Sequence, residues 1–280
     1  MQGSVGASVI IRVRDEQQSL ERCLTLLGAQ RGLSGGVEVI VVDSGSEDQS
    51  VAVAERHDAR VAFVPTHRFT FGGALNQGAQ LARHDVLVSL SAHAFPRDDG
   101  WLARLVGAVS DPDVACACGD VFGPDGDRLT TPVAQDAALA RRRPEWGFSN
   151  AAGAVRAELW RRRPFRADLP GCEDKEWALH WLDQGYRCVV DPRLVIDHDH
   201  THDSLRGIYA RARREAIASA GFLPGAPDAG AGRLAREWWS DTRWYESAVR
   251  ARLSHRRAAR LLGAHAGRRA GPPRQDVNAL

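Results

Sequence analysis

The sequence predicts an α/β fold, a mostly parallel sheet flanked by helices, followed by a C-terminal helical extension. Three observations carry this. Short apolar runs alternate with helix-period segments over residues 8–90, the spacing of βαβ units. The runs at 8–13 (SVIIRV), 37–42 (VEVIVV) and 85–90 are apolar almost throughout, as strands buried on both faces are. After residue 204 the pattern becomes helical and rich in arginine.

The first strand, 8–13, leads through Arg14-Asp15-Glu16 into a helix with Leu20, Cys23, Leu24 and Leu27 on one face. The second, 37–42, ends in Asp43-Ser44-Gly45-Ser46. Asp43 closes a wholly apolar strand at the edge where open sheets bind nucleotides. The alternative is a turn, with Ser46 capping the helix through Ala54. A third strand spans 60–64, a helix 72–81 and a fourth strand 85–90. Beyond its carboxyl end lie Ser91-Ala92-His93, closed by Pro96, and then a helix near Asp98 with acids in its first turn.

Past Trp101 the pattern changes. Residues 114–122 read as a strand, with Cys116 and Cys118 expected on opposite faces. Residues 130–144 read as a loop of lid or binding-loop size. Trp146, Phe148, Ser149 and Asn150 combine aromatic rings with hydroxyl and amide groups, which suits a sugar or planar substrate or, equally, a core plug. Glu173-Asp174-Lys175-Glu176 opens a helix. Acids there are ordinary dipole partners, but a carboxylate at a cleft can also act as a general base. Two short strands, 187–190 and 194–197, precede His198, His200 and His202. Alternating histidines on an extended segment share a face, so two of them can reach one metal. Residues 204–220 are helical, 221–232 a loop, 233–262 a long helix, and 271–280 a disordered tail.

Composition narrows the classes. The 280 residues are 44% hydrophobic with a net charge of +2, enough for a sizeable core. No apolar run reaches membrane-spanning length, and no secretion signal opens the chain. Five scattered cysteines with neither zinc nor disulfide spacing fit a reducing cytoplasm. From residue 205 onward 15 arginines face 6 acids, a local +9, so the remainder is −7. The acidic body and the absence of a nucleic-acid motif exclude nucleic acid as the expected partner. The basic, tryptophan-containing end fits an anionic or carrier-bound acceptor, a peripheral membrane contact or a homodimer. No Walker or G-x-G-x-x-G loop occurs.

In order, SVIIRVRDE, VVDSGSED, FTFGGALNQGAQLARHDVLVSLSAHAFP, FSNAAGAVRAELW and CEDKEWALHWLDQGY followed by H-x-H resemble the family 2 glycosyltransferases of GT-A fold, particularly the rhamnosyltransferase-like branch. The likeness covers about residues 8–209. It implies a Rossmann-like catalytic domain over 1–204, with a nucleotide-sugar half over 1–97 and an acceptor half over 98–204. A helical extension over 205–270 follows. It also implies inverting transfer from a UDP- or dTDP-sugar to a hydroxyl or amine, in polysaccharide or natural-product biosynthesis.

By the same resemblance Arg12, Arg14, Glu16, Asp43, Ser44, Asn76, Ser91 and His93 hold the nucleotide sugar. Asp174, beside Glu173, is the catalytic base, and Trp146, Phe148, Ser149 and Asn150 form the acceptor and sugar pocket. His93, His198 and His200 are the metal candidates. Ser91-Ala92-His93 stands where the family has Asp-x-Asp, so both metal-motif carboxylates are missing. Imidazole favours Mn²⁺ over Mg²⁺, and metal independence is the alternative. Two other classes compete: a sugar-nucleotide pyrophosphorylase, which needs a glycine-rich loop where Val13-Arg14-Asp15-Glu16 stands, and a catalytically degenerate nucleotide-sugar-binding protein.

Overall fold

The computed structural model describes residues 5–198, 203–223, 230–240 and 247–272. They form two compact units, one of Met1–Ala167 with Glu173–Asp199, the other of Asp168–Cys172 with His200–Leu280.

In the first unit the order is β1 (Ala7–Val13), α1 (Gln17–Gly28), β2 (Val37–Asp43), α2 (Ser50–Arg56), β3 (Arg60–Phe63), α3 (Phe71–Leu81), β4 (Val86–Ser91), β5 (Ala94–Phe95) and α4 (Trp101–Ala108). It continues with β6 (Val114–Cys118), β7 (Val133–Gln135), α5 (Ala137–Arg142), β8 (Ala152–Arg156), α6 (Ala157–Arg162), α7 (Glu173–Asp183), β9 (Arg187–Val190) and β10 (Asp197–His198). The main sheet runs β3-β2-β1-β4-β8-β6-β9-β7. β1 pairs in parallel with β2 and β4, β2 with β3, and β6 with β9; β8 and β7 are antiparallel to their neighbours. The expected mostly parallel, helix-flanked class is therefore the observed one.

The strand period of two sorts the core into layers on the two faces. Val9, Ile11, Val41, Val88 and Leu90 pack with Leu20, Leu24, Leu27 and Trp101. Ile10, Ile40, Val42 and Leu87 pack with Leu75, Trp160, Trp177 and Trp181 on the other side. Burying one such large side chain contributes about 1.5–3 kcal/mol, so β1 and β4, buried on both faces, hold the carboxyl edge rigidly.

Local expectations differ in places. Ser46 caps no helix: its hydroxyl accepts from the Asp15 backbone at 3.0 Å, while Asp48 accepts from Ser50 N, the first residue of α2. α4 begins only at Trp101 with no acid in its first turn, because Asp98 folds back onto Gly100 N and pairs with Arg104. The strand expected over 114–122 ends at Cys118. The loop expected over 130–144 contains β7 and α5, the latter capped by Asp136 on Leu139 N. Cys116 and Cys118 share one core layer with Cys188; residues two apart on a strand face the same side, which reverses the expectation. Cys23 lies on the buried face of α1, and burial, aided by the nearby charge of Glu16, pushes its thiol up to about 12.

In the second unit α8 (Leu205–Ser219), capped by Ser204, packs on α11 (His255–Ala270). The approach is close: a Cβ on Gly263 would lie 2.3 Å from the Tyr209 carbonyl oxygen. α9 (Ala231–Trp239) and α10 (Ala248–Leu253) precede α11. The single long helix expected over 233–262 is thus broken, with extended backbone at Ser240 and Ser254. Trp244 and most of the expected tail, residues 273–280, lie outside the described residues. Among the described residues no helix is long and apolar enough to cross a membrane.

Candidate active site

A cavity of about 250 Å³ opens at the carboxyl edge of β1 and β4, lined by Arg12, Val13, Arg14, Glu16, Ser44, Thr66, Phe69, Phe71, Ser91, Ala92 and His93. Its loops are locked by polar ties. Asp15 adopts the left-handed conformation at φ 54°, which an aspartate tolerates better than most residues. Its carboxylate accepts from Glu47 N at 2.7 Å. Glu16 N and Gln17 N donate to Ser50 and Asp48. The turn after β1 is therefore fastened to the turn after β2, and Arg14 and Glu16 project from a fixed frame.

One wall is built on a buried ion pair. Arg12 Nη1 lies 3.2 Å from Glu173 Oε1 and donates to the Phe71 carbonyl at 3.2 Å, with its guanidinium 5.2 Å from the Phe71 ring centre. The two side chains are 16% and 6% exposed. Asn150 Nδ2 donates to the same Glu173 oxygen, Asn150 Oδ1 accepts from Ser89, and Asn150 N donates to Asp174 Oδ2 at 3.1 Å. Asp174 Oδ1 also accepts from Lys175 N. Burial pushes the Glu173 carboxyl above its ordinary range; Arg12 pulls it down and the charge of Asp174 pushes it up. Residues 149–151 and the first turn of α7 are thus one hydrogen-bonded unit, tied to the cavity-lining Arg12 through Glu173, and Asp174 within it is half-buried.

Around Ser91 and His93 the side-chain ties are sparser. Ser91 is held by its backbone, N–H to Ala151 O at 2.8 Å. His93 Nδ1 lies 3.2 Å from Glu16 Oε2. The antiparallel pairing of β10 with β5 sets His198 opposite Ala94, and its ring stacks on His93 with centres 4.7 Å apart and planes 10° from parallel. A metal binds in the plane of an imidazole, so two rings stacked nearly parallel cannot both aim a lone pair at one ion. Among the described residues no group of three or more His, Cys, Asp or Glu side chains could hold a metal. His200 lies outside the described residues. The expected His93–His198 metal pair is therefore not formed, and the described side chains by themselves supply no metal site.

Several expected site residues have other duties. Asn76 accepts from Trp160 Nε1 and Phe165 N and donates to Phe165 O; it ties α3 to the segment after α6 rather than facing the cavity. Asp43 is 2% exposed and spends its carboxylate on Gly45 N and Ser46 N, so it shapes the edge while Ser44 lines it. Phe148, 1% exposed, packs near Trp177, and the buried Trp146 donates to Phe122 O. A Cβ on Gly153 would meet the Phe148 ring at 2.6 Å. These two aromatics are core residues, which corrects their place in the acceptor pocket. Of that group Asn150, itself buried, joins the Glu173–Asp174 network, and Ser149 accepts from Ala151 N. Thr66, Phe69 and Phe71 line the cavity without having been expected there. The available signal was the Phe-x-Phe pair that runs into the start of α3, two rings 5.2 Å apart in edge-to-face contact.

The sheet's carboxyl edge thus carries a cavity lined by Arg12, Arg14 and His93 beside a networked carboxylate pair. The sequence profile described as glycosyl transferase family 2 matches residues 8–169, more than half of the chain, and the chain belongs to that family. It is 28% identical over 118 residues to glycosyltransferase AglE of Haloferax volcanii; the match spans 41% of this chain and only 38% of that relative's length. Among solved structures it is similar to the mannosyltransferase PcManGT of Pyrobaculum calidifontis in complex with GDP-Man and Mn²⁺, with TM-score 0.59 and 22% identity, covering 94% of this chain and 74% of that one. It is also similar to glucosyl-3-phosphoglycerate synthase of Mycobacterium tuberculosis in complex with Mn²⁺, UDP and glucosyl-3-phosphoglycerate, with TM-score 0.56, 20% identity and 78% of each chain covered.

Proposed function

We propose that the chain transfers a sugar from a nucleotide-diphosphate sugar to a hydroxyl or amine acceptor, with inversion. The observation that supports this is the Arg12–Glu173 pair, which ties the start of α7, where Asp174 stands, to a residue lining the cavity at the sheet's carboxyl edge. Asp174 takes the acceptor's proton as the acceptor attacks the anomeric carbon. The bond from that carbon to the diphosphate breaks, and the developing negative charge is met by Arg14 and His93 on the cavity wall. One base suffices for inversion; retention by double displacement needs a second carboxylate as nucleophile, by analogy with glycosidases. Glu173, buried and paired with Arg12, is poorly placed for that role. The motif order favours a UDP- or dTDP-sugar and the rhamnosyltransferase-like branch. PcManGT and glucosyl-3-phosphoglycerate synthase were each captured with Mn²⁺; here no step is assigned to a metal.

The test is a panel of nucleotide sugars with and without candidate acceptors, read by nucleotide release and by the anomeric configuration of the product. Inverted product with free nucleotide diphosphate is expected. Sugar 1-phosphate formation would indicate a pyrophosphorylase, and binding without turnover a degenerate relative.

A further inference from the structure

Residues 230–272 carry ten arginines against three acids, Glu237, Asp241 and Glu246. Glu237 is consumed internally, by Arg233 and Arg268 at 2.8 Å each. Arg257 is buried and donates to the carbonyls of Glu237, Trp238 and Ser240, closing the C-terminal end of α9. Arg236, Arg250, Arg256 and Arg260 are exposed, so the surface of this region is cationic.

Apolar side chains stand within that cationic surface instead of entering the unit's core. Trp239 is 63% exposed, Val249 62% and Leu253 74%. Val249 and Leu253 lie four residues apart on α10 and share a face. The Arg252 guanidinium lies 4.3 Å from the Trp239 ring centre, which sets the end of α9 beside α10. Leu234 and Trp238 are half-buried, and Ala235, Arg236 and Trp239 form the exposed face of α9.

We propose that α9 and α10 form a docking surface for an anionic phospholipid bilayer. Trp239, Val249 and Leu253 enter the boundary between headgroups and acyl chains, and the surrounding arginines meet lipid phosphates. Charge complementarity selects this occupant. A symmetric pair of copies would bury the apolar residues but bring two arginine-rich faces together. Nucleic acid would engage the arginines but set the valine and leucine against phosphates. A bilayer surface satisfies both sets at once, with the tryptophan ring at the interface it favours.

The experiment is co-sedimentation of the full chain with vesicles of phosphatidylcholine alone or mixed equally with phosphatidylglycerol. Binding to the mixed vesicles, weakened by salt, and none to the zwitterionic ones is expected. Trp239→Ser with Leu253→Ser should lower partitioning about tenfold or more, from the lost apolar contact, with nucleotide-sugar turnover and Tm unchanged. No binding to anionic vesicles, or equal binding by the double variant, overturns the proposal. So does a wild-type dimer that the double variant converts to monomer, which would assign the face to a second copy. Should the double variant misfold, Trp239→Phe decides. Brominated phosphatidylglycerol should quench the wild type more than this variant, and equal quenching overturns the proposal.

Discussion

The two sides of the cavity are built on different principles. On the base side every polar group has a protein partner: Arg12 holds Glu173, Asn150 joins Ser89, Glu173 and Asp174, and Asp174 takes two backbone N–H groups. On the proposed leaving-group side, Ser91 is held by its backbone, and the stacked His93–His198 rings leave no converging ligand set among the described residues. The carboxylate pair is thus organised before substrate arrives, whereas in the proposed mechanism the leaving-group side relies on cations and on what the donor brings. Preorganisation matters most for the group that must be aligned at the moment of proton transfer.

Breaking the base side should have the larger consequences. Arg12→Leu strands a buried carboxylate, and losing one partner of a buried pair costs about 3–5 kcal/mol. Chemical denaturation should show a fall of that order. The double variant Arg12→Leu, Glu173→Gln should recover much of it, since the stranded charge is gone. No recovery would mean that Arg12 acts through packing on Phe71 alone. Asn150→Ala leaves Ser89 and Glu173 short of a partner and should cost about 1–3 kcal/mol, with lower kcat and a donor KM close to wild type. An unchanged kcat would detach Asn150 from the base.

The leaving-group side sharpens the contrast. Nucleotide-free protein should show no saturable Mn²⁺ binding in an electron paramagnetic resonance titration, because its described side chains offer no cluster. Tight binding without nucleotide would contradict the reading of the His93–His198 stack.

The smallest effect is on pH dependence. Burial raises the Glu173 carboxyl above its ordinary value. The stability this group contributes is therefore fully present below the ordinary glutamate range and is lost as pH rises through the raised value. Thermal unfolding of wild type and Glu173→Gln across that window should show this component in the wild type only.

How much of this could be read from the chain depended on whether a residue's duty was local. β1, β2 and β4 were legible because strands buried on both faces must be apolar throughout. The Glu173-Asp174 helix start was legible because acids favour that position and the motif order was specific. Asn76, Trp146 and Phe148 misled because amides and aromatics suit ligands and tertiary ties equally; only the positions of Phe165, Trp160 and Trp177 decide between them. The Arg12–Glu173 pair joins residues 161 apart in sequence, a distance no local pattern spans. The break of the long C-terminal helix was hidden because serine is tolerated inside helices as well as at their ends.

The central claim is that Asp174 is the base, held ready by Asn150 and the Arg12–Glu173 pair. Single-turnover sugar transfer by Asp174→Asn, with donor affinity measured by calorimetry on the same preparation, tests it most directly. The amide keeps the shape and an acceptor oxygen but cannot take the proton. Transfer should fall by about 10²-fold or more, with donor affinity within about twofold, since the lost group acts on the acceptor. Transfer at the wild-type rate would contradict the account.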